Sequence, residues 1–126
     1  MTAGFSPLAE IRFVTIDSTD PETLAAFWSR VLGVEVEERF GDGYLILGRA
    51  SDGAPRVTIQ RVPEEKAAKN RLHFDLAVSD IEAATAELEA LGGSRGPEGD
   101  FEEEGYRWRV MRDPQDNEFC IAIMPD

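Results

Sequence analysis

Residues 13–40, FVTIDSTDPETLAAFWSRVLGVEVEERF, open with an apolar run of strand character and pass through Asp20-Pro21 into an amphipathic stretch. Asp20 suits a helix N-cap and Pro21 the first helical position, where the missing N–H leaves no bond unmade. Leu24, Phe27, Trp28, Val31 and Leu32 then recur at helical spacing, giving the helix one apolar face. Gly33 closes it, and VEVEE returns to strand alternation. Residues 73–95, HFDLAVSDIEAATAELEALGGSR, write the same order again: strand, a capping Ser79 or Asp80, a helix through Ile81, Ala84, Leu88 and Leu91, then Gly92-Gly93. Superposing Asp20 on Asp80 brings Phe13 opposite His73, and a shift of one residue brings Leu32-Gly33 opposite Leu91-Gly92.

The downstream halves agree. Residues 34–38, 44–49 and 56–62 read as three strands separated by the turn signals FGDG and ASDGAP. In the second copy the polar, glycine-rich stretch GSRGPEGDFEEEG contains or replaces the second strand, and YRWRVMR and NEFCIAIM follow with DPQD as the turn between them. Each half is β-α-β-β-β, and neither alone covers its sheet. The expectation is an α+β fold of two tandem modules in a single domain over residues 1–126. Module 1 spans about residues 10–62, a linker about residues 63–70, and module 2 about residues 71–125.

Composition narrows the functional field. Asp and Glu number 25 against 13 Lys and Arg, and the resulting net charge of −12 repels phosphate backbones and anionic lipid, which argues against nucleic acid and membrane partners. Cys120 is the only cysteine, so there is no intramolecular disulfide and no multi-cysteine zinc site, as expected in a reducing compartment. No run has transmembrane length, and the start MTAGFSPLAEIRF lacks a basic leader followed by a long apolar segment; the expected location is the cytoplasm.

The repeat, with DSTDPETLAAFW (residues 17–28) in the first copy, RLHFDLAVSD (71–80) opening the second and WRVMRDPQDNEFCIAI (108–123) near the end, resembles the vicinal oxygen chelate superfamily. Within it the chain is similar to the small glyoxalase-like and bleomycin-resistance-like proteins, over residues 11–124. The resemblance implies two modules sharing a cleft, often built across a homodimer. It leaves the reaction open, because the superfamily holds isomerases, lyases, dioxygenases, epimerases, thiol transferases and non-catalytic drug-binding proteins.

Strand parity can be read from this chain alone. Leu72, Phe74 and Leu76 form an apolar set, leaving His73 and Asp75 on the other face; Phe119, Ile121 and Ile123 do the same opposite Glu118, Cys120 and Ala122. In module 1, Val14, Ile16, Val57 and Ile59 belong under the helix, with Phe13, Thr15 and Asp17, and Arg56, Thr58 and Gln60, facing the cleft. In the catalytic relatives each module gives two ligands to a divalent metal, one from its first strand and one from its last, and the metal stabilises an enolate or related oxyanion. The resemblance carries those positions onto His73 and Glu118 in module 2, chemically suited to Zn, Ni, Fe or Mn. Module 1 departs from the pattern: Phe13 stands at the position equivalent to His73, Arg56 or Thr58 nearest the equivalent of Glu118, and Gln60 is a weak third ligand. The metal set is thus His73, Glu118 and Gln60, short of a full site. Without metal, His73 pairs with Glu118 or Asp75 and the pair could act as an acid–base couple.

Asp75 either polarises a ligand or forms an ion pair with Arg71 or Arg109. Cys120 reads as a small filler rather than a nucleophile, since no second histidine activates it. Trp28 packs; Trp108, alternating with Arg107 and Arg109, reads as an aromatic cleft wall. DFEEE (residues 100–104) reads as a solvated loop, and DPQDN as a turn rather than a calcium loop. Two functions follow. One is a glyoxalase-like lyase or isomerase, less readily a dioxygenase, with His73, Glu118 and Asp75 as catalytic residues and a cleft lined by Phe13, Thr15, Thr58, Gln60, Trp108 and Cys120. The other is a protein of bleomycin-resistance type that sequesters a small molecule without chemistry, for which an acidic cleft with aromatic walls suits a cationic aromatic ligand.

Overall fold

A computed structural model describes residue 4 and residues 6–125; the stretch MTAGFSPLAEIRF therefore lies partly outside the described residues. The element order is β1 (Phe13–Ser18), α1 (Pro21–Leu32), β2 (Val36–Phe40), β3 (Tyr44–Leu47), β4 (Arg56–Arg61), β5 (Asp75–Ala77), α2 (Ile81–Ala90), β6 (Ser94–Glu103), β7 (Tyr106–Arg112) and β8 (Glu118–Ile123). The elements form two sheets of identical plan, β1-β4-β3-β2 and β5-β8-β7-β6, each with its first strand at one edge and parallel to its last. This is the repeated β-α-β-β-β arrangement that the sequence predicts.

Local chemistry explains the helix limits. The Asp20 side chain accepts from the Thr23 N–H, and Asp80, not Ser79, does the same for the Ala83 N–H. Gly33 ends α1 in the left-handed conformation, and the Val34 N–H bonds back to the Ser29 carbonyl, so β2 starts two residues later than the alternation suggests.

α1 is shared between the modules. Leu24, Phe27 and Trp28 join Leu45, Leu47, Val57 and Ile59 of the first sheet in one core with Ile81, Leu88, Met111, Phe119 and Ile121 of the second. The Trp28 ring meets Phe74 at 5.4 Å and Phe119 at 4.9 Å, both edge-on, the arrangement aromatic quadrupoles prefer. Its indole N–H donates to Asp113 at 3.0 Å, and Asp113 also accepts from the Gln115 and Asn117 backbone N–H groups and the Asn117 amide. The DPQDN turn is thus ordered by its own first residue and fastened to the other module. Gln115 adds a second tie, accepting from the Thr19 N–H and hydroxyl.

Three expectations need correction. β5 starts at Asp75, not at residue 72, and Leu72 is 88% exposed instead of lying under α2. Asn70 takes the place of a longer β5: its side-chain amide donates to the Glu118 carbonyl, the ladder acceptor such a strand would have met, while its backbone N–H donates to the Glu118 carboxylate. Residues 100–103 of DFEEE belong to β6, paired with Tyr106–Arg109 of β7, and only Glu104-Gly105 turns, both at positive φ. Burial does not hold that strand; cross-strand partners do. Phe101 stacks on Trp108 with ring centres 5.4 Å apart. Asp100 binds Arg109, which lies buried on the α2 side of the sheet and also bonds Glu82 and Thr85. Arg109 is therefore no partner of Asp75. No helix among the described residues is long and apolar enough to cross a membrane.

Candidate functional site

Because β1 and β5 are both edge strands, the two sheets leave a seam between them. A cavity of about 670 Å³ occupies it, a size typical of small-molecule pockets. Its apolar wall comes from Val14, Ile16, Trp28, Phe74 and Phe119. Val14 and Ile16, expected only under the helix, reach it because nothing pairs with the outer edge of β1 in its sheet. The polar wall includes Lys66, Asn70, Arg71 and His73 from the connector, Asp113, Gln115 and Asn117 from the turn, and Glu118. Thr15 and Asp17 complete it from β1, and Glu64 and Glu65 stand on the rim.

Glu118 is the most constrained of these groups. It is 5% exposed, and its carboxylate accepts from Lys66 Nζ at 3.2 Å, the Asn70 N–H at 3.0 Å and Arg112 Nη1 at 3.3 Å. Burial opposes its ionisation, but the backbone donors and the Lys66 ammonium outweigh burial and bring the carboxyl down to about 2. Arg112 extends the network to Glu98 at 3.0 Å. Glu118 is an anion already neutralised by two cations.

His73 lies just before β5, half exposed, and its Nε2 is 3.4 Å from Asp75 Oδ1. Of the partners considered from sequence for His73, Asp75 is the one it meets; Glu118 is held elsewhere. Parallel pairing puts Asp75 directly opposite Cys120, and the ligand atoms of His73, Asp75 and Cys120 all lie within 4.8 Å of one another. Cys120 is buried, and desolvation followed by the Asp75 charge pushes its thiol up to about 11, in keeping with a filler rather than a nucleophile.

The predicted site residues thus separate into three places. His73, Glu118 and Thr15 border the seam cavity; Asp75 and Cys120 stand beside His73 on the face of the second sheet turned away from α2; Phe13, Thr58, Gln60 and Trp108 border neither the cavity nor this cluster. Thr58 is buried within the first sheet, Gln60 is half-buried opposite Asp17, Phe13 is 51% exposed at the sheet edge, and Trp108 is engaged by Phe101. Sequence reasoning passed over Lys66, Asn70, Asp113 and Gln115. The Asp-Pro turn was visible as a turn, but nothing local reveals that Asp113 and Gln115 reach into the other module.

The metal implied by the resemblance does not fit the residues at its expected position. The Phe13 ring offers no ligand, and Gln60 does not line the cavity that His73 borders. A divalent ion on Glu118 would also have to displace the Lys66 ammonium and the Arg112 guanidinium from a buried carboxylate.

Comparison with known proteins agrees with the architecture. No curated protein matches the chain. A glyoxalase/bleomycin resistance protein/dioxygenase family enzyme from Burkholderia phytofirmans PsJN superposes with a TM-score of 0.72 at 19% identity, covering 93% of this chain and 100% of that one. A glyoxalase/bleomycin resistance protein from Albidiferax ferrireducens T118 gives 0.63 at 20% identity over 91% and 98%. TioX from Micromonospora sp. ML1 gives 0.61 at 18% identity over 93% and 100%. At these identities the likeness is one of fold. The family model described as a glyoxalase-like domain matches residues 13–122, nearly the full span from β1 to β8. With that match and the duplicated module, the chain belongs to the glyoxalase-like domain family, within the superfamily that its sequence resembles.

Proposed function

We propose that this protein binds a cationic aromatic small molecule in the cavity between its modules and sequesters it without chemistry, in the manner of the bleomycin-resistance branch of the fold. One observation carries the reading: a cavity whose apolar lining includes Trp28, Phe74 and Phe119 is bordered by the carboxylates of Asp17, Glu64 and Glu65. The apolar walls, with the half-buried Phe74 ring among them, take up the ring system and the bordering carboxylates attract its charge, while the −12 net charge raises the local concentration of cations. Arg71 is the opposing charge on that wall, since Lys66 is held by Glu118. The alternative, a metal-assisted lyase or isomerase centred on His73 and Glu118 with Asp75 assisting, lacks an available Glu118 carboxylate. The same reading has the protein work as a cytoplasmic homodimer. The outer sheet faces that carry Phe13, Tyr44 and Phe101, each roughly half exposed, would be covered between copies, which sedimentation equilibrium tests.

The binding test uses the planar cation 9-aminoacridine and its uncharged relative acridine in mildly alkaline buffer. Trp108 lies away from the cavity, so a Trp108→Phe background leaves Trp28 as the sole indole reporter. Saturable quenching of Trp28 by the cation, about tenfold tighter than by acridine and weakened in Asp17→Asn with Glu65→Gln, is the expected result. Equal binding of both compounds, or quenching by neither, would overturn the assignment of ligand class.

A further inference from the structure

We propose that His73, Asp75 and Cys120 form a binding site for a thiophilic divalent metal ion, zinc being the best match, which shares only His73 with the family's ligand positions and replaces the others with Asp75 and Cys120. The geometry follows from strand pairing. His73 lies two residues ahead of Asp75, the first residue of β5, with its Nε2 3.4 Å from the Asp75 carboxylate, and Asp75 lies directly opposite Cys120 of the parallel strand β8. Three side chains thus converge from two adjacent backbones, with imidazole nitrogen, carboxylate oxygen and sulfur all within 4.8 Å of one another. Adjacent ligand atoms around a tetrahedral ion with bonds of about 2.0–2.3 Å stand somewhat closer than that, so the spacing asks for only a small contraction.

The donor set has its own selectivity. One soft sulfur, one borderline nitrogen and one hard oxygen match zinc and its spectroscopic substitute cobalt(II), and disfavour magnesium and calcium, which take oxygen ligands. The sulfur is buried, whereas the imidazole and carboxylate are exposed to solvent. An ion held there has three protein ligands and a solvent-facing fourth position, the pattern of an open rather than a closed structural site. Binding exchanges the Cys120 S–H bond for a sulfur–metal bond and releases the proton to solvent. Glu118, two residues before Cys120 on the same face of β8, takes no part because Lys66, Asn70 and Arg112 hold it. The inference is independent of the sequestration reading, for it needs no occupant in the seam cavity.

The test is a cobalt(II) titration of reduced, untagged full-length protein followed by displacement with zinc. Cys120 is the only cysteine, so a sulfur-to-cobalt charge-transfer band in the near ultraviolet reports this site alone. One equivalent of cobalt should raise the band and zinc should remove it. Cys120→Ser should abolish the band; His73→Gln and Asp75→Asn, both at exposed positions that leave the core intact, should each weaken cobalt binding at least about tenfold. Absence of the band at saturating cobalt, or an unweakened band in both His73→Gln and Asp75→Asn, would overturn the site. Because those two variants alter surface groups, the test stands even if Cys120→Ser misfolds.

Discussion

The hydrogen bond from the Trp28 indole to Asp113 links residues 85 positions apart and joins the two modules, so it should show strong thermodynamic coupling. Replacing Trp28 with Phe keeps an aromatic ring among Phe27, Phe74 and Phe119 but removes the donor and part of the ring volume. A hydrogen bond to a charged acceptor contributes roughly 1.5–3 kcal/mol, and the lost apolar burial adds about 1 kcal/mol, so Trp28→Phe should cost about 2.5–4 kcal/mol. Against a total stability of about 5–15 kcal/mol that is a large fraction. The single substitution mixes packing with hydrogen bonding, and Asp113→Ala mixes the seam bond with the order of its turn. A double-mutant cycle separates them. Urea unfolding of the wild type, both single variants and the double variant should give a coupling of about 1.5–3 kcal/mol, with an unchanged dependence on denaturant. Distant, independent sites add to within about 0.3–0.5 kcal/mol, so a coupling no larger than that would refute the claim that this bond fastens the modules.

Three other buried polar groups give measurable outcomes of their own. The Glu118 carboxyl is lowered from 4.5 to about 2 in the folded protein, so its stabilisation is complete above the unfolded value and disappears as pH falls through the folded one. The wild type should thus lose roughly 3 kcal/mol between about pH 5 and pH 2 that Glu118→Gln does not, read from urea midpoints across that range. The thiol of Cys120, pushed up from 9.0 to about 11, should react with a disulfide reagent at least about a hundredfold more slowly than the same thiol in urea-unfolded protein, and native reactivity within tenfold of the unfolded rate would contradict its burial. Arg109→Lys keeps the charge but loses the planar fork shared by Asp100, Glu82 and Thr85, which should lower stability by about 1–2 kcal/mol; an unchanged melting temperature would show that β6 is held by other means.

The parts of the fold legible in the sequence are those set by short-range chemistry. Asp20, Pro21 and Gly33 delimit α1 because a cap, a proline ring and a left-handed backbone act within a few residues. The alternation of Phe119, Ile121 and Ile123 against Glu118, Cys120 and Ala122 was equally readable, since a strand has no choice about which way successive side chains point. The strand β6 was not legible, because Arg95, Asp100 and Glu102 carry no apolar period and only their partners on β7 make the segment extended. At the site, the sequence offered His73, Glu118, Asp75 and Cys120 as a set without the distances that divide them. Lys66 and Asn70 reach Glu118 from 52 and 48 residues away, and no local pattern announces such a partner.

That division gives Glu118 a different role from the one implied by its position. A buried carboxylate needs compensating charge, and either a metal ion or protein cations can supply it. A metal supplies charge together with open coordination positions for a substrate. Lys66 and Arg112 supply the charge with no such positions, but Lys66 belongs to the connector between the modules. Together with Asn70, the ion pair draws that connector down over the start of β8, where residues 62, 64–66 and 70–73 become a wall of the seam cavity. Glu118 therefore shapes the seam cavity by anchoring its wall. Removing its charge should loosen the connector and weaken capture of the acridine cation, even though the carboxylate itself, already neutralised, has little attraction left to offer that cation.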